Sequence, residues 1–401
     1  MIAAIRQNLR DLPGAITLPA VLSGLLVIVI GYSASLVIVF QAAANASLTP
    51  SQTSSWVLAI TIGSGISGIL MSLWFRQPIA AAWSTPAAAL LVDGLAHFSY
   101  PEAIGAFILA GIAVTILGFS GLFGRAMAIV PQPIVMGMLA GILFRFGVGA
   151  FNAIPTAPLI VLPMIAVFFV LRRIKFRAPA PAALLVGVIM AALTGTIHLE
   201  TFTLSAAAPE LTMPVFSVEA ALSLALPIFA LAITAQNAPG LAVLRASGYN
   251  APIDKALIVT GIVSVIGAPF GGHGITLAAI TAALVTNHDA HPDPDKRYSA
   301  GVSAGVWYIV TGIFGAALVA LFAGLPAALI AATAGLGLFT AIAGSMSGAM
   351  AEPTGREGAL AALLCTAANF TLFGIGAPFW GLVFGVIVHW VMTGKISGKQ
   401  A

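Results

Sequence analysis

Charged residues punctuate this chain at intervals that leave long apolar stretches between them. No charge occurs from Leu12 to Phe75, 64 residues, which is room for two helical spans of about 20 residues and a turn. Later uncharged stretches hold one span each: Ala103–Gly124, Ala126–Phe144 (continuing past Arg145), Phe146–Leu171, Ala178–Leu199 and Ala220–Leu244. Val302–Met350 holds two, divided at "FAGLP", and Gly358–Gly394 holds two more, joined at "FGIGAP". Two intervals fit neither pattern. Gln77–Val92 has only 16 residues, and Ala256–His288 has 33, too many for one span and too few for two full ones. With a shortened, broken span in each, the pattern predicts an all-α polytopic membrane protein with fourteen transmembrane segments.

Composition agrees with the membrane setting. Charged residues are 7% of the chain, against roughly 25% in soluble domains, so a soluble fold of this size lacks the charges to cover its surface. Mean hydropathy is +1.08. The net charge of +4 does not point to nucleic acid, because the basic residues are placed by topology. With fourteen spans and both termini cytoplasmic, Arg6, Arg10, Arg76, Arg125, Arg172, Arg173, Lys175, Arg177, Arg245, Lys255, Lys296, Arg297, Arg356, Lys395 and Lys399 all fall inside, and only Arg145 does not. The outer side receives Asp93, Glu102, Glu200, Glu210 and Glu219. That is the positive-inside rule, obeyed loop by loop. The apolar run behind Arg6 and Arg10 exceeds the h-region of a signal peptide and is read as the first span. The single cysteine, Cys365, excludes an intramolecular disulfide and is read as a small core residue.

Fourteen spans divide into two seven-span repeats, residues 12–199 and 214–394, the second inserted in the inverted sense. Pro78 and Thr85 match Pro269 and Thr276 at an offset of 191, and "VPQPIVMGMLAGILF" matches "LPAALIAATAGLGLF" at 195. The two anomalous spans, the third and the tenth, are then equivalent positions. Paired, Gly/Pro-interrupted spans are the best sequence pointer to a transporter binding site. In "PIAAAWSTPAAALLVDGL", Ser84 or Thr85 suits a helix cap and Pro86 suits the first turn. Pro86 to Gly94 would make a half-helix of about 13–14 Å, half a bilayer core. In "APFGGHGITLAAITAALV", Thr276 is expected to cap a second half-helix pointing the opposite way. Two helix N-termini facing each other would form an anion site without a buried Lys or Arg. Kinked helices packed for structural reasons are the bland alternative.

Polar residues inside spans supply the remaining candidates. Gln236 and Asn237 in the eighth span need hydrogen-bond partners or a cavity. Tyr32 and Trp83 are candidate walls for a planar ligand. The expected substrate-binding set is Tyr32, Trp83, Ser84, Thr85, Pro86, Gln236, Asn237, Gly274, Ile275, Thr276 and Leu277. His273, beside the tenth break, and Asp93, at the far end of the third span, are candidates for proton coupling. Arg145 reads as a snorkelling or structural charge. "HDAHPDPDKR" has metal-ligand residue types but loop composition, so no metal site is expected there. No motif of an enzyme occurs in a supporting context, and no cofactor is expected.

Several stretches, in order along almost the whole chain, carry a resemblance: "IGYSASLVIVFQAA", "AAWSTPAAALL", "PEAIGAFI", "MLAGILFRFG", "QNAPGLAVLRASGY", "LAAITAAL", "AHPDPDKRY" and "GIGAPFWGLV". Together they resemble the bacterial benzoate/proton symporter family. The resemblance implies one transporter unit of seven plus seven spans, shared in fold with uracil permeases and sulfate-type anion transporters. A core domain of spans 1–4 and 8–11 would interleave with a gate domain of spans 5–7 and 12–14. It implies import of an aromatic carboxylate such as benzoate with protons, by alternating access, in the bacterial inner membrane. The chain departs from its relatives at Thr276, where Asn is frequent, and at Ala87, where Gly is common. The eighth and tenth spans offer Gln236, Asn237 and His273 where uracil permeases have carboxylates. A nucleobase or inorganic-anion carrier, or an uncoupled channel of the same fold, stays open as the alternative. The partners expected are the anionic substrate, protons and the bilayer, with no nucleic acid. A homodimer is admitted, since lipid-facing and subunit-facing apolar surfaces look alike.

Overall fold

The structure is a computed structural model that describes residues 1–125, 131–176, 178–197, 205–279 and 281–394, with the side chains of residues 33 and 34 left out. Arg177, His198, Glu200, Ile280, Lys395, Lys399, residues 126–130 and the side chain of Ser33 therefore lie outside the described residues.

Helices dominate, in the order the charge intervals predict. An amphipathic α1 (Ile2–Asp11) precedes α2 (Leu18–Asn45) and α3 (Pro50–Phe75). The first anomalous interval becomes β1 (Ala81–Trp83) and α4 (Thr85–His97). Then follow α5 (Tyr100–Ser120), α6 (Gln132–Asn152), α7 (Pro158–Arg173), α8 (Pro179–Leu193) and α9 (Val218–Ala246). After α10 (Ile253–Gly267), the second anomalous interval becomes β2 (Ile275–Leu277) and α11 (Ala282–Thr286). The chain finishes with α12 (Tyr298–Ile313), α13 (Gly315–Ala323), α14 (Ala327–Ala349), α15 (Arg356–Ala367), a hairpin of β3 (Thr371–Leu372) and β4 (Ile375–Gly376), and α16 (Ala377–Thr393).

Among the described residues, seven helices are long and apolar enough to cross a membrane, or eight when the bent pair Pro294–Ile313 and Gly315–Ala323, meeting at 63°, is taken as one span. The protein is thus a mostly helical, multi-pass membrane protein. The count of fourteen full crossings is not reached by helix length. Helices α4, α7, α8, α15 and α16 have 13, 16, 15, 12 and 17 residues, short of the roughly 20 that cross a hydrocarbon core unaided.

Helix starts are chemically marked. Thr49 and Gln52 close a capping box on α3, and Ser99 with Glu102 closes another on α5. Packing sorts the helices into two neighbourhoods. Helix α12 lies against α2 and α3, α10 against α5, and α4 against α2. Elsewhere α6 packs on α14 and α15, and α15 on α16. The two neighbourhoods meet where α4 touches α6 and α2 touches α14.

Candidate functional site

The two broken intervals meet each other. Strands β1 and β2 pair antiparallel, with Ala81 opposite Leu277, Ala82 opposite Thr276 and Trp83 opposite Ile275. The backbone pairing runs on at both ends, from Ser84 N to Gly274 O (3.0 Å) and from Ala278 N to Ala80 O (2.9 Å). Extended backbone at membrane depth leaves amides that no lipid can satisfy, so each must find a protein partner. Side chains complete what the two short strands leave open. Ser72 Oγ donates to Ile79 O and accepts from Ile79 N, Ser264 Oγ accepts from Ile275 N at 2.8 Å, and Asn237 Oδ1 accepts from Leu277 N at 3.0 Å.

Asn237 is placed for this by an irregular helix. Residues Ala232–Asn237 form a π segment of α9, a second one lying at Ala221–Ala225. Such wide turns bond i→i+5 in place of i→i+4 and open the helix to a further donor. Asn237 Nδ2 donates to the first carbonyl of the segment, Ala232 O, at 2.9 Å, and the residue is fully buried. Gln236, its neighbour, is half-buried and makes no hydrogen bond among the described residues.

Helix α4 starts immediately after β1. Ser84 is its cap, with Oγ accepting from Ala87 N at 3.3 Å, and Pro86 sits in the first turn. Thr85 is freed from capping: its Oγ1 lies 2.6 Å from Ser35 Oγ on α2. Aromatic rings stand beside this start. Tyr32 and Trp83 meet edge to face at 5.3 Å, and Tyr308 lies 5.7 Å from Trp83. The Tyr32 hydroxyl pairs with Thr311 Oγ1 at 2.9 Å, while Trp83 Nε1 is buried with no partner among the described residues.

The second break differs from expectation. Thr276 caps no helix; it lies mid-strand with its hydroxyl donating to Ala82 O at 3.3 Å, and Leu277 is strand as well. Helix α11 begins only at Ala282 and has 5 residues. The reason is local. Gly274, at φ +123°, turns the chain through a conformation that L side chains rarely adopt, and Ile275 and Thr276, both β-branched, continue it as strand.

His273 is engaged on both ring nitrogens. It is fully buried, with Nδ1 2.8 Å from Trp56 Nε1 and Nε2 3.1 Å from Ser84 O. An indole N–H only donates, so Nδ1 must accept, and the single ring proton sits on Nε2 and donates to the Ser84 carbonyl. Both nitrogens are engaged in the neutral ring, and a second proton would face the indole N–H. His273 therefore ties α3 to the start of α4, a role that sequence inspection missed because Trp56 is 217 residues away.

Asp93 and Arg145, read separately from sequence, form an ion pair that joins α4 to α6. Arg145 Nη2 also donates to Ala89 O at 3.2 Å, so the guanidinium turns to α4 rather than snorkelling outward. The loop at His288–Arg297 is held by its own bonds, Arg297 Nε to His291 O and Arg297 Nη1 to Thr286 O, and no group of metal-ligating side chains occurs among the described residues.

A pair of crossed, stitched extended segments beside a helix start is a transporter-like arrangement, and comparison with known proteins identifies its family. Residues 14–391 match the family described as "Benzoate membrane transport protein". The chain belongs to that family. It is 38% identical over 375 residues, 94% of its length and 96% of the relative's, to the "Inner membrane protein YdcO" of Escherichia coli. It is also 38% identical over 376 residues to the "Benzoate membrane transport protein" of Acinetobacter baylyi, covering 94% and 95% of the two chains. Members of the benzoate membrane transport protein family are membrane transport proteins, not enzymes. Among solved structures, the transmembrane domain of a cyanobacterial bicarbonate transporter, BicA, superposes with a TM-score of 0.63 at 16% identity, over 92% of this chain and 97% of that one. The murine anion transporter Slc26a9, inward-facing, gives 0.60 at 11% identity, over 96% and 71%. At such identities the likeness concerns the fold alone.

Proposed function

We propose that this member of the benzoate membrane transport protein family is a secondary active transporter that imports benzoate or a similar small aromatic carboxylate with protons by alternating access. The observation that carries the reading is the start of α4: a helix N-terminus beside the Tyr32, Trp83 and Tyr308 rings, with the buried Trp83 N–H unpartnered. A helix start favours an anion, and the aromatic walls favour a flat ring. Gln236, with no partner of its own, is the polar side chain of α9 available to a ligand. Ser84, Thr85 and Pro86 set the helix start, whereas Asn237, Gly274, Ile275, Thr276 and Leu277 shape the site from behind as backbone supports.

The antiparallel crossing of β1 and β2 supports the inverted repeat, and the two packing neighbourhoods support a core body and a gate body. On that reading the chain makes fourteen passes, several of them short or broken, with both termini cytoplasmic in a bacterial inner membrane. The end of α4 that carries Asp93, and Asn369 just past the end of α15, then face outward. The rival, an inorganic-anion carrier, has the likeness to anion transporters behind it, a matter of fold only.

Proteoliposomes decide between them. Labelled benzoate should accumulate under an inward proton gradient, stop accumulating when the gradient is collapsed, and be competed by salicylate but not by uracil, bicarbonate or sulfate. Accumulation of sulfate or bicarbonate, with benzoate inert, is the result that overturns the carboxylate reading.

A further inference from the structure

The Asp93–Arg145 pair borders a recess between α4, α6, α15 and α16, lined by Leu90, Asp93, Ile142, Arg145, Thr366 and Pro378 among others. A second recess continues it past Asp93 and Asn369 toward His97 and the β3–β4 hairpin. Arg145 is not fully used there. Two of its nitrogens face Asp93 and Ala89 O, but Nε is buried without a partner, and so is the hydroxyl of Thr366. Thr366 is brought to α6 by Gly141, where a Cβ would come within 2.8 Å of the Thr366 Cβ and 2.6 Å of Leu363 O. Gly141 and Arg145 are one turn apart on the same face of α6, so Thr366, whose hydroxyl lies against Gly381 of α16, and Arg145 line one recess, with the two unpartnered atoms just beneath its surface.

Two unpartnered donors, the Arg145 Nε and the Thr366 hydroxyl, ask for an acceptor with two oxygens. Burying such donors unpaired is unfavourable by about 1–3 kcal/mol each, which makes an oxygen ligand the economical explanation. The apolar side chains of Leu90, Ile142 and Pro378 flank the same recess, whose free volume of about 20 Å³ has to widen before a ring can enter. A second carboxylate cannot sit beside ionised Asp93 without repulsion. A protonated Asp93 removes that conflict and releases a guanidinium nitrogen as well. Both side chains are about one-third exposed, so proton and anion reach them from solvent.

We infer that this recess is an outer docking subsite for the carboxylate of the substrate, in which Arg145 and Thr366 hold the anion and Asp93 accepts the accompanying proton. The inference rests on the transport reading above. Substrate and proton then enter as a neutral pair, and since α4 and α6 belong to different packing neighbourhoods, loading the subsite unfastens one from the other. Reciprocity follows: if protonated Asp93 favours the anion, bound anion favours protonated Asp93. The charged and titratable groups around Asp93 are few. Helix α2 carries none of Asp, Glu, Lys, Arg or His, α6 presents Arg145, and α4 itself adds His97, whose Nδ1 lies 3.0 Å from Asp93 O. Glu102 on α5 is engaged by Ser99 and Ser217, and Glu219, at the start of α9, stands against Gly374 of the hairpin.

The test is benzoate uptake by full-length protein in proteoliposomes, with KM measured at mildly acidic and mildly alkaline pH. Wild type should show a lower KM at acidic pH. Asp93→Asn should show a low KM at both, a flattened profile. Thr366→Val should raise KM about threefold to tenfold with little change in maximal rate, the effect of one lost hydrogen bond. Arg145→Lys, which keeps the charge and loses the fork, should raise it at least about tenfold. If Arg145→Lys does not accumulate in the membrane, the other two variants decide. A wild-type pH profile in Asp93→Asn, or a wild-type KM in Thr366→Val, overturns the subsite while the transport reading stands. A wild-type protein that takes up no benzoate overturns that reading, and the subsite with it.

Discussion

The two breaks use one backbone device to different ends. Each crosses in extended form and pairs with the other, yet β1 passes through Ser84 straight into the 13-residue α4, whereas β2 is followed by the 5-residue α11 only from Ala282. Ser84-Thr85-Pro86 supplies a cap and a first-turn proline, so the chain turns helical at once. Gly274-Ile275-Thr276 supplies a positive φ and two β-branched residues, so it continues as strand. One break delivers a helix start to the junction; the other delivers a strand edge clamped by Ser264 and Asn237. Matching positions in a repeat need not make matching sites.

That contrast can be broken at four points. The largest effect is expected for Asn237→Leu, which leaves the Leu277 N–H unpaired and removes the side-chain bond to Ala232 O in the buried clamp and should destabilise by about 2–4 kcal/mol. Thermal unfolding in detergent would read this directly, and an unchanged melting temperature would remove the clamp from the account. Next comes His273→Phe, which strands Trp56 Nε1 at about 1–3 kcal/mol, while the Ser84 carbonyl keeps its bond from Ala88 N. Because the wild-type ring is neutral, the uptake that survives in this variant should keep the wild-type pH profile; a displaced profile assigns His273 to proton coupling after all.

Ser84→Ala removes the α4 cap and should lower stability by about 1 kcal/mol. If the helix start binds the carboxylate, the KM for benzoate rises more than melting alone explains. Smallest is Thr276→Val. Its hydroxyl makes one long bond of 3.3 Å, so stability should fall by about 0.5 kcal/mol and KM should hardly move. A large rise in KM for Thr276→Val, with Ser84→Ala silent, reverses the assignment of the two breaks.

Much of this arrangement is legible in residue order. The charge intervals mark where helices lie, because lipid excludes charge from every stretch that faces it. They also single out Gln77–Val92 and Ala256–His288, which hold the paired strands β1 and β2. A cap at Ser84 or Thr85 is local chemistry and was readable as such, and the structure uses Ser84. The count of full-length crossings was less readable, since a short helix and a long one have the same apolar composition and differ in tilt and packing.

Sequence alone determined the membrane setting, the order of elements and the place of both breaks, all consequences of local polarity and of glycine and proline geometry. Only the tertiary structure decided what the polar residues do. The Thr276 hydroxyl is spent on pairing because the Ala82 carbonyl, 194 residues away, accepts it. His273 is a neutral tie because Trp56 donates to it. Arg145 turns to α4 because Asp93 and the Ala89 carbonyl are there to receive it. A buried polar side chain takes its role from the partner that satisfies it, and in this fold that partner comes from a distant part of the chain.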